Sequence, residues 1–186
     1  IRARICQELA IDEQEIPFAG ELIQVQERER DWEGAIERLM RNFGLSMLVP
    51  EEHYPAIVKW IDQTNLRGRI VYFRVRNSSG RELPEVHPNS LIHKIDIKPD
   101  SAYYNWLSQE ISRRFDFACC VSQEEFRLEP RAITRAGQTK SPDGRHEKDD
   151  RHNILDRSRY VLGWSNIAKI KSLEDKRDIL EKKIAE

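Results

Sequence analysis

Cysteine is scarce in this 186-residue chain: Cys6 and the adjacent pair Cys119 and Cys120 are an odd number, without the density of a disulfide framework or the spacing of a metal knuckle. A reducing compartment, the cytoplasm, is the expected setting. Long hydrophobic runs are missing too, so no segment reads as membrane-spanning or as a signal peptide, and a soluble protein is expected. Neither sign of charge dominates. Lys and Arg number 31 against 32 Asp and Glu, which excludes a global basic field and requires any nucleic-acid surface to be local. Also absent are the Gly-x-x-x-x-Gly-Lys phosphate loop, the dinucleotide fingerprint and the Gly-x-Ser-x-Gly elbow. No enzymatic activity and no cofactor are therefore expected of this chain. It opens at Ile1 rather than Met and reads as a piece of a longer protein.

What is present is dense α/β patterning. In Glu21 to Val25, Leu22, Ile23 and Val25 form a short apolar run, and Trp32, Ala35, Ile36, Leu39, Met40 and Phe43 then recur at helical spacing until Gly44. Leu45 to Val49, closed by Pro50, reads as a buried strand, with Glu51 and Glu52 opening a further helix. The pattern repeats weakly. The first half runs ELIQV, a helix from Asp31 to Phe43, LSMLVPEEHY and the strand RIVYFRV from Arg69 to Val75. The second runs HKIDI, a helix from Ser101 to Phe115, FACCVSQEEF and RAITRAG from Arg131 to Gly137. The expected fold is mixed α/β, with lobe one over 17–76, a linker over 77–90 and lobe two over 91–163. Both termini read as helix. Ile170, Leu173, Leu180 and Ile184, with Arg177 at one seam position, begin a coiled-coil seam over 164–186. Ile1, Ile5 and Leu9 would let a helix within 1–12 lie against it.

The strand–helix–strand opening, Gly-x-Leu-Ile-x-Val followed by Trp32 and Ala35-Ile36, resembles the start of the hinge domain of SMC proteins, the long coiled-coil ATPases of chromosome organisation. HYPAIVKWIDQTNLRGRIVYFRVR, IKPDSAYYNWLSQEISRRFDFACC and RHEKDDRHNILDRSRYVLGWSN narrow the resemblance to JetC-type SMC subunits of the bacterial Wadjet system, which are MukB-like relatives. The resemblance implies a homodimerisation hinge within a condensin-like, loop-extruding complex that defends against plasmids. ATPase heads and sites for kleisin, kleisin-associated and nuclease subunits would then lie elsewhere in the parent protein, in the bacterial cytoplasm at nucleoid or plasmid. Hinges of this family pair the first subdomain of one copy with the second of the other. That places RIVYFRV and RAITRAG at the contact, with Ile70, Tyr72, Ile133 and Gly137 near the interface.

Arg131 to Tyr160 is the other candidate site, holding eight Lys or Arg against five Asp or Glu around a Gly- and Pro-bearing loop. Arg135, Lys140, Arg145, Lys148, Arg151, Arg157 and Arg159 are each able to neutralise a DNA phosphate, which makes a sequence-independent DNA-binding module the alternative function. Two blander readings stand beside it. One is a solvated loop whose charges cancel; the other is an internal ion-pair network in which Asp149 and Asp150 accept from Arg151 or Arg157. His146, Glu147, Asp149, Asp150 and His152 are close in sequence but match no helical metal motif, and no metal is expected. Cys119 and Cys120 point to opposite sides of a strand and read as core. Trp32, Trp60, Trp106 and Trp164 are expected on apolar helix faces rather than as base-stacking platforms.

Overall fold

The helix with the widest apolar stripe organises the molecule. In the computed structural model, which describes residues 1–76, 82–164 and 167–185, helix α2 (Arg30–Gly44) buries Trp32, Ala35, Ile36, Met40 and Phe43 on one face. Each large side chain buried there contributes roughly 1.5–3 kcal/mol. Before α2 come helix α1 (Arg2–Leu9) and strand β1 (Ile23–Val25). After it come β2 (Met47–Pro50), α3 (Tyr54–Gln63) and β3 (Tyr72–Val75). The second half supplies β4 (Ile95–Ile97), α4 (Tyr104–Arg114), β5 (Ala118–Cys120), α5 (Gln123–Leu128) and β6 (Ala132–Thr134). A hairpin of β7 (Thr139–Lys140) and β8 (His146–Glu147) follows, and α6 (Ile167–Ala185) closes the chain.

The internal repeat is a property of the backbone. Strands β1 and β4 pair antiparallel with Gln24 opposite Asp96, and the flanking bonds match: Gln26 N–H donates to the Lys94 carbonyl as Lys98 N–H donates to that of Leu22. Within the lobes, β2 pairs parallel with β3 and β5 parallel with β6. Ala19 N–H to Ser46 O and Leu48 N–H to Pro17 O in lobe one have counterparts in Leu91 N–H to Phe117 O and Cys119 N–H to Asn89 O in lobe two. Two lobes of strands and helices thus meet about an approximate twofold.

Two-stranded sheets are marginal alone, so packing holds them. One core is shared by both lobes and includes Ile23, Ile36, Phe43, Leu48, Leu91, Leu107, Ile111, Cys119 and Ile133. Phe43 lies 5.6 Å from Phe73, 6.4 Å from Trp106 and 5.3 Å from Phe115, joining α2 and β3 to lobe two. A second core lies under α1 and α3 (Ile5, Met47, Val49, Ile57, Trp60), and a third under α5 (Ala118, Cys120, Phe126). Strand alternation explains the division. Leu48 and Cys119 face the shared core, while Met47, Val49, Ala118 and Cys120 face outward to their own helices. Burial pushes the Cys119 thiol up to about 12, which leaves it inert core rather than a nucleophile.

Several boundaries differ from the sequence reading. Strand β1 is shorter than Glu21 to Val25, because the chain turns through a 3₁₀ segment at Ala19–Leu22, where the Glu21 carboxylate accepts from Phe18 N–H. Glu51 and Glu52 precede α3 instead of opening it, and Glu51 pairs with Arg74. Helix α1 packs on α3: Ile5 is fully buried there, and Trp60 Nε1 donates to Glu8 at 2.6 Å. Ile5 and Leu9 therefore serve a globular face in this chain, while Ile1 is exposed. On α6, Ile170, Leu180 and Ile184 are exposed, and Leu173 lies outside the described side chains. Residues 77–81 of the linker also lie outside the described residues. No described helix is long and apolar enough to cross a membrane.

Candidate dimer edges and the basic strap

An unpaired strand edge is the simplest surface through which one copy of a chain joins another. Three of the four lobe edges are covered from within. The outer side of β2 is taken by residues 17–19, that of β5 by residues 89–91, and β6 lies between β5 and β7. Among the described residues and outside the two-stranded β1–β4 sheet between the lobes, β3 and the two-residue β8 end their sheets without a strand neighbour on the outer side. The Val71 carbonyl accepts from Met47 N–H, and β2 and β3 pair with Met47 opposite Tyr72 and Val49 opposite Arg74. The N–H and C=O of Tyr72 and Arg74 consequently point away from β2, toward the open side. Arg74 holds its place through Glu51 (Nε to Oε2 2.8 Å) and the Tyr54 ring, 4.3 Å from its guanidinium carbon.

The expected interface residues divide accordingly. Ile70 and Tyr72 sit half-buried along the open edge, packed on the second core. Ile133 does not: it is fully buried in the shared core, because β6 is an interior strand. Gly137 does permit a close approach, but within the chain. It has φ +80° at the turn into β7, and a Cβ there would lie 3.0 Å from Ile154 Cδ1 and 3.2 Å from Arg38 Nη1. RAITRAG is therefore corrected from an edge to an interior strand and turn, and β8 is the open edge of lobe two.

The basic segment behaves as a strap. Five of the seven candidate phosphate contacts have acidic partners: Arg135 with Asp31, Arg145 with Glu147 (2.6 Å), Lys148 with Asp150, Arg151 with Asp149 (2.7 Å) and Arg157 with Glu33. Lys140 Nζ donates to the Arg127 carbonyl at 2.9 Å. Among the described residues, exposed Arg159 has no acidic partner within ion-pair distance. Hydrogen bonds from Arg151 hold the Asp149 carboxyl well below the usual carboxylate range, and Lys148 lowers that of Asp150. These exposed pairs fix geometry more than they stabilise. The ion-pair reading of the segment thus describes its charges, with Asp150 accepting from Lys148 and Arg38, and Arg157 reaching Glu33.

His146 and His152 do not converge. His146 Nδ1 contacts the Gly144 carbonyl at 2.9 Å and its ring packs on Phe126, whereas the His152 carbonyl accepts from Arg38 at 2.8 Å. Among the described residues, the group with ligand atoms close enough for a metal is instead Glu15, Glu52 and His53, at the surface. Trp32 and Trp60 are buried and Trp106 is half-buried against the core. Trp164 departs from expectation: it lies ahead of α6, is 37% exposed, and lines a cavity of about 560 Å³ with Ile92, Ile97, Tyr104 and Ile111.

Sequence reasoning missed the residues that seat the strap. Glu37 is 5% exposed and accepts from Val161 N–H (2.8 Å) and Leu162 N–H (3.0 Å). Gly34 lies under Ile154, and Gly20 and Gly44 lie under Val161 and Leu162. Glu37 falls on the polar side of α2 and so reads as solvated. Gly34, in a helix interior where it costs about 1 kcal/mol against Ala, is the signal that another backbone crosses there.

No protein-family profile matches the sequence, and comparison with curated proteins finds no match. Solved structures do share the fold. The chain is similar to the folded elbow of cohesin, at 18% identity and TM-score 0.60 over 97% of this chain and 25% of that one. It is similar to the Pyrococcus furiosus Smc hinge domain with an extended coiled coil, at 18% identity and TM-score 0.59 over 99% of this chain and 66% of that one. It is also similar to the Geobacillus stearothermophilus SMC hinge domain, an asymmetric dimer, at 20% identity and TM-score 0.54 over 97% and 77%. The fold is therefore SMC-hinge-like, mixed α/β, with two lobes and helical extensions. The chain spans a quarter of the cohesin chain and about two-thirds of the Pyrococcus one.

Proposed function

We propose that this chain is the homodimerisation hinge of an SMC-type coiled-coil ATPase of the Wadjet branch. The observation that carries the reading is an SMC-hinge-like fold whose first lobe ends on a strand edge with no strand neighbour among the described residues. In this reading β3 of one copy meets lobe two of the other at β8, with Ile70 and Tyr72 at the contact. In the same reading 164–186 begins the outgoing coiled-coil arm, and 1–12 is the incoming segment, whose helix α1 is seated on α3 where it joins the body. The Wadjet assignment rests on the sequence resemblance of the segments His53–Arg76, Ile97–Cys120 and Arg145–Asn166. ATP hydrolysis, loop extrusion, plasmid defence and the kleisin, kleisin-associated and nuclease partners belong to the parent complex, in the cytoplasm. The chain itself joins arms and catalyses nothing. Two copies carrying different affinity tags should co-purify through either tag after co-expression; recovery of one tag alone contradicts the reading.

The DNA-binding alternative is weakened by the pairing of its cations. Duplex binding by the strap is expected to be weak and indifferent to sequence. Its log–log salt slope should be no steeper than about -2, since each phosphate neutralised contributes roughly -0.9. Reversing Arg145 and Lys148 to Glu should change it little. A slope near about -6 that collapses in the double variant would mean that the ion pairs open to receive phosphates.

A further inference from the structure

The chain enters and leaves the body at one place. Arg2 on α1 donates to Glu21 at 2.7 Å, and Gly163, just ahead of α6, donates its N–H to the Gly20 carbonyl at 2.9 Å. Glu21 and Gly20 belong to the same 3₁₀ turn, Ala19–Leu22, in lobe one. Yet the residues before Gly163 come from lobe two, whose last strand is β8. The strap from 148 to 163 crosses between the lobes over the polar face of α2. Arg38 holds the His152 carbonyl, Arg41 holds that of Arg159, Arg157 pairs with Glu33, and Glu37 holds two successive N–H groups at the far end. Gly34 and Gly20 bring the strap down onto lobe one: a Cβ at Gly34 would lie 2.5 Å from the Ile154 carbonyl oxygen, and one at Gly20 2.4 Å from that of Val161.

We infer that Glu37 and the glycine bed form a releasable clasp that roots the outgoing helix on lobe one, beside the incoming helix, so that lobe two carries neither end of the chain. Glu37 is a positioning residue in this device. Apart from Ile154 and Leu162, which pack against the shared core, the strap is held mainly by side-chain bonds rather than by a strand ladder, so it can lift while each lobe keeps its own buried residues. Load entering through α1 or α6 then reaches the turn Ala19–Leu22 of lobe one first, and lobe two receives it only through the shared core and the β1–β4 pair. Treating the two helices as load-bearing arms rests on the hinge reading; the clasp itself does not.

Hydrogen exchange read by mass spectrometry on the whole 186-residue chain tests this. In Glu37→Ala, and less so in Glu37→Gln, peptides covering 149–163 should exchange roughly tenfold or more faster, because two amides lose their buried acceptor. Gly34→Ala should loosen 149–157 by a steric route, in a helix that Ala otherwise favours. In all three, Ala118–Cys120 and α2 should keep wild-type protection. Wild-type exchange across 149–163 in both Glu37→Ala and Gly34→Ala would overturn the clasp, as would equal loss of protection in Ala118–Cys120. Light scattering on the same samples separates the two ideas, since a monomeric wild type removes the hinge reading while the exchange result stands or falls alone.

Discussion

Arg74→Pro should convert the proposed dimer to a folded monomer. The N–H of Arg74 points away from β2, so proline removes no bond of the lobe's own ladder, and an edge strand whose N–H faces outward tolerates it. What proline removes is the donor at the centre of the open edge, and its ring obstructs a strand laid alongside. The side chain lost is exposed and held by a surface ion pair, so the folded state should lose little. Dimer affinity should fall by about 100-fold or more, equivalent to about 2.8 kcal/mol. Arg74→Ala, which keeps the N–H, should remain a dimer. Light scattering with a melting curve checks both variants: a dimeric, well-folded Arg74→Pro would show that β3 is not the joint.

Phe43→Ala should come close to unfolding the chain. Phe43 is 6% exposed and meets aromatic rings from β3, from α4 and from Phe115 just beyond it. Truncating a buried Phe costs about 3–5 kcal/mol, a large part of the roughly 5–15 kcal/mol that holds a typical domain. Because the cluster spans both lobes, the loss should be shared, and denaturant unfolding of wild type and variant should follow one transition. A loss below about 1 kcal/mol, or a transition that splits in two, would show that the lobes are held together elsewhere.

Local patterning made lobe one legible. The helical spacing from Trp32 to Phe43 and the apolar run before Pro50 correspond to α2 and β2 within a residue or two. The repeat was readable because strand, helix and strand follow in the same order in each half, and the matched bonds of Ala19 and Leu91 bear it out. What stayed hidden depends on which surface covers which. Ile1, Ile5 and Leu9 carry a spacing that suits a coiled-coil seam and a globular face equally, and only the placement of α3 decides between them. RAITRAG is expected at an edge from the family resemblance, and the strands that cover it, β7 and β8, are two residues each; the Ser-Pro-Asp-Gly turn between them, with Gly144 at φ +83°, was the available sign of a hairpin. Glu37 was hidden by its polarity, since an acid on the far side of an amphipathic helix reads as solvated until another segment is laid over it.

The solution mass of the chain, followed by light scattering over a wide range of concentrations, bears most directly on the account. A hinge that joins two arms through an open strand edge should hold twice 22.0 kDa down to low micromolar concentration. A mass of 22.0 kDa at the highest concentrations reached would contradict it.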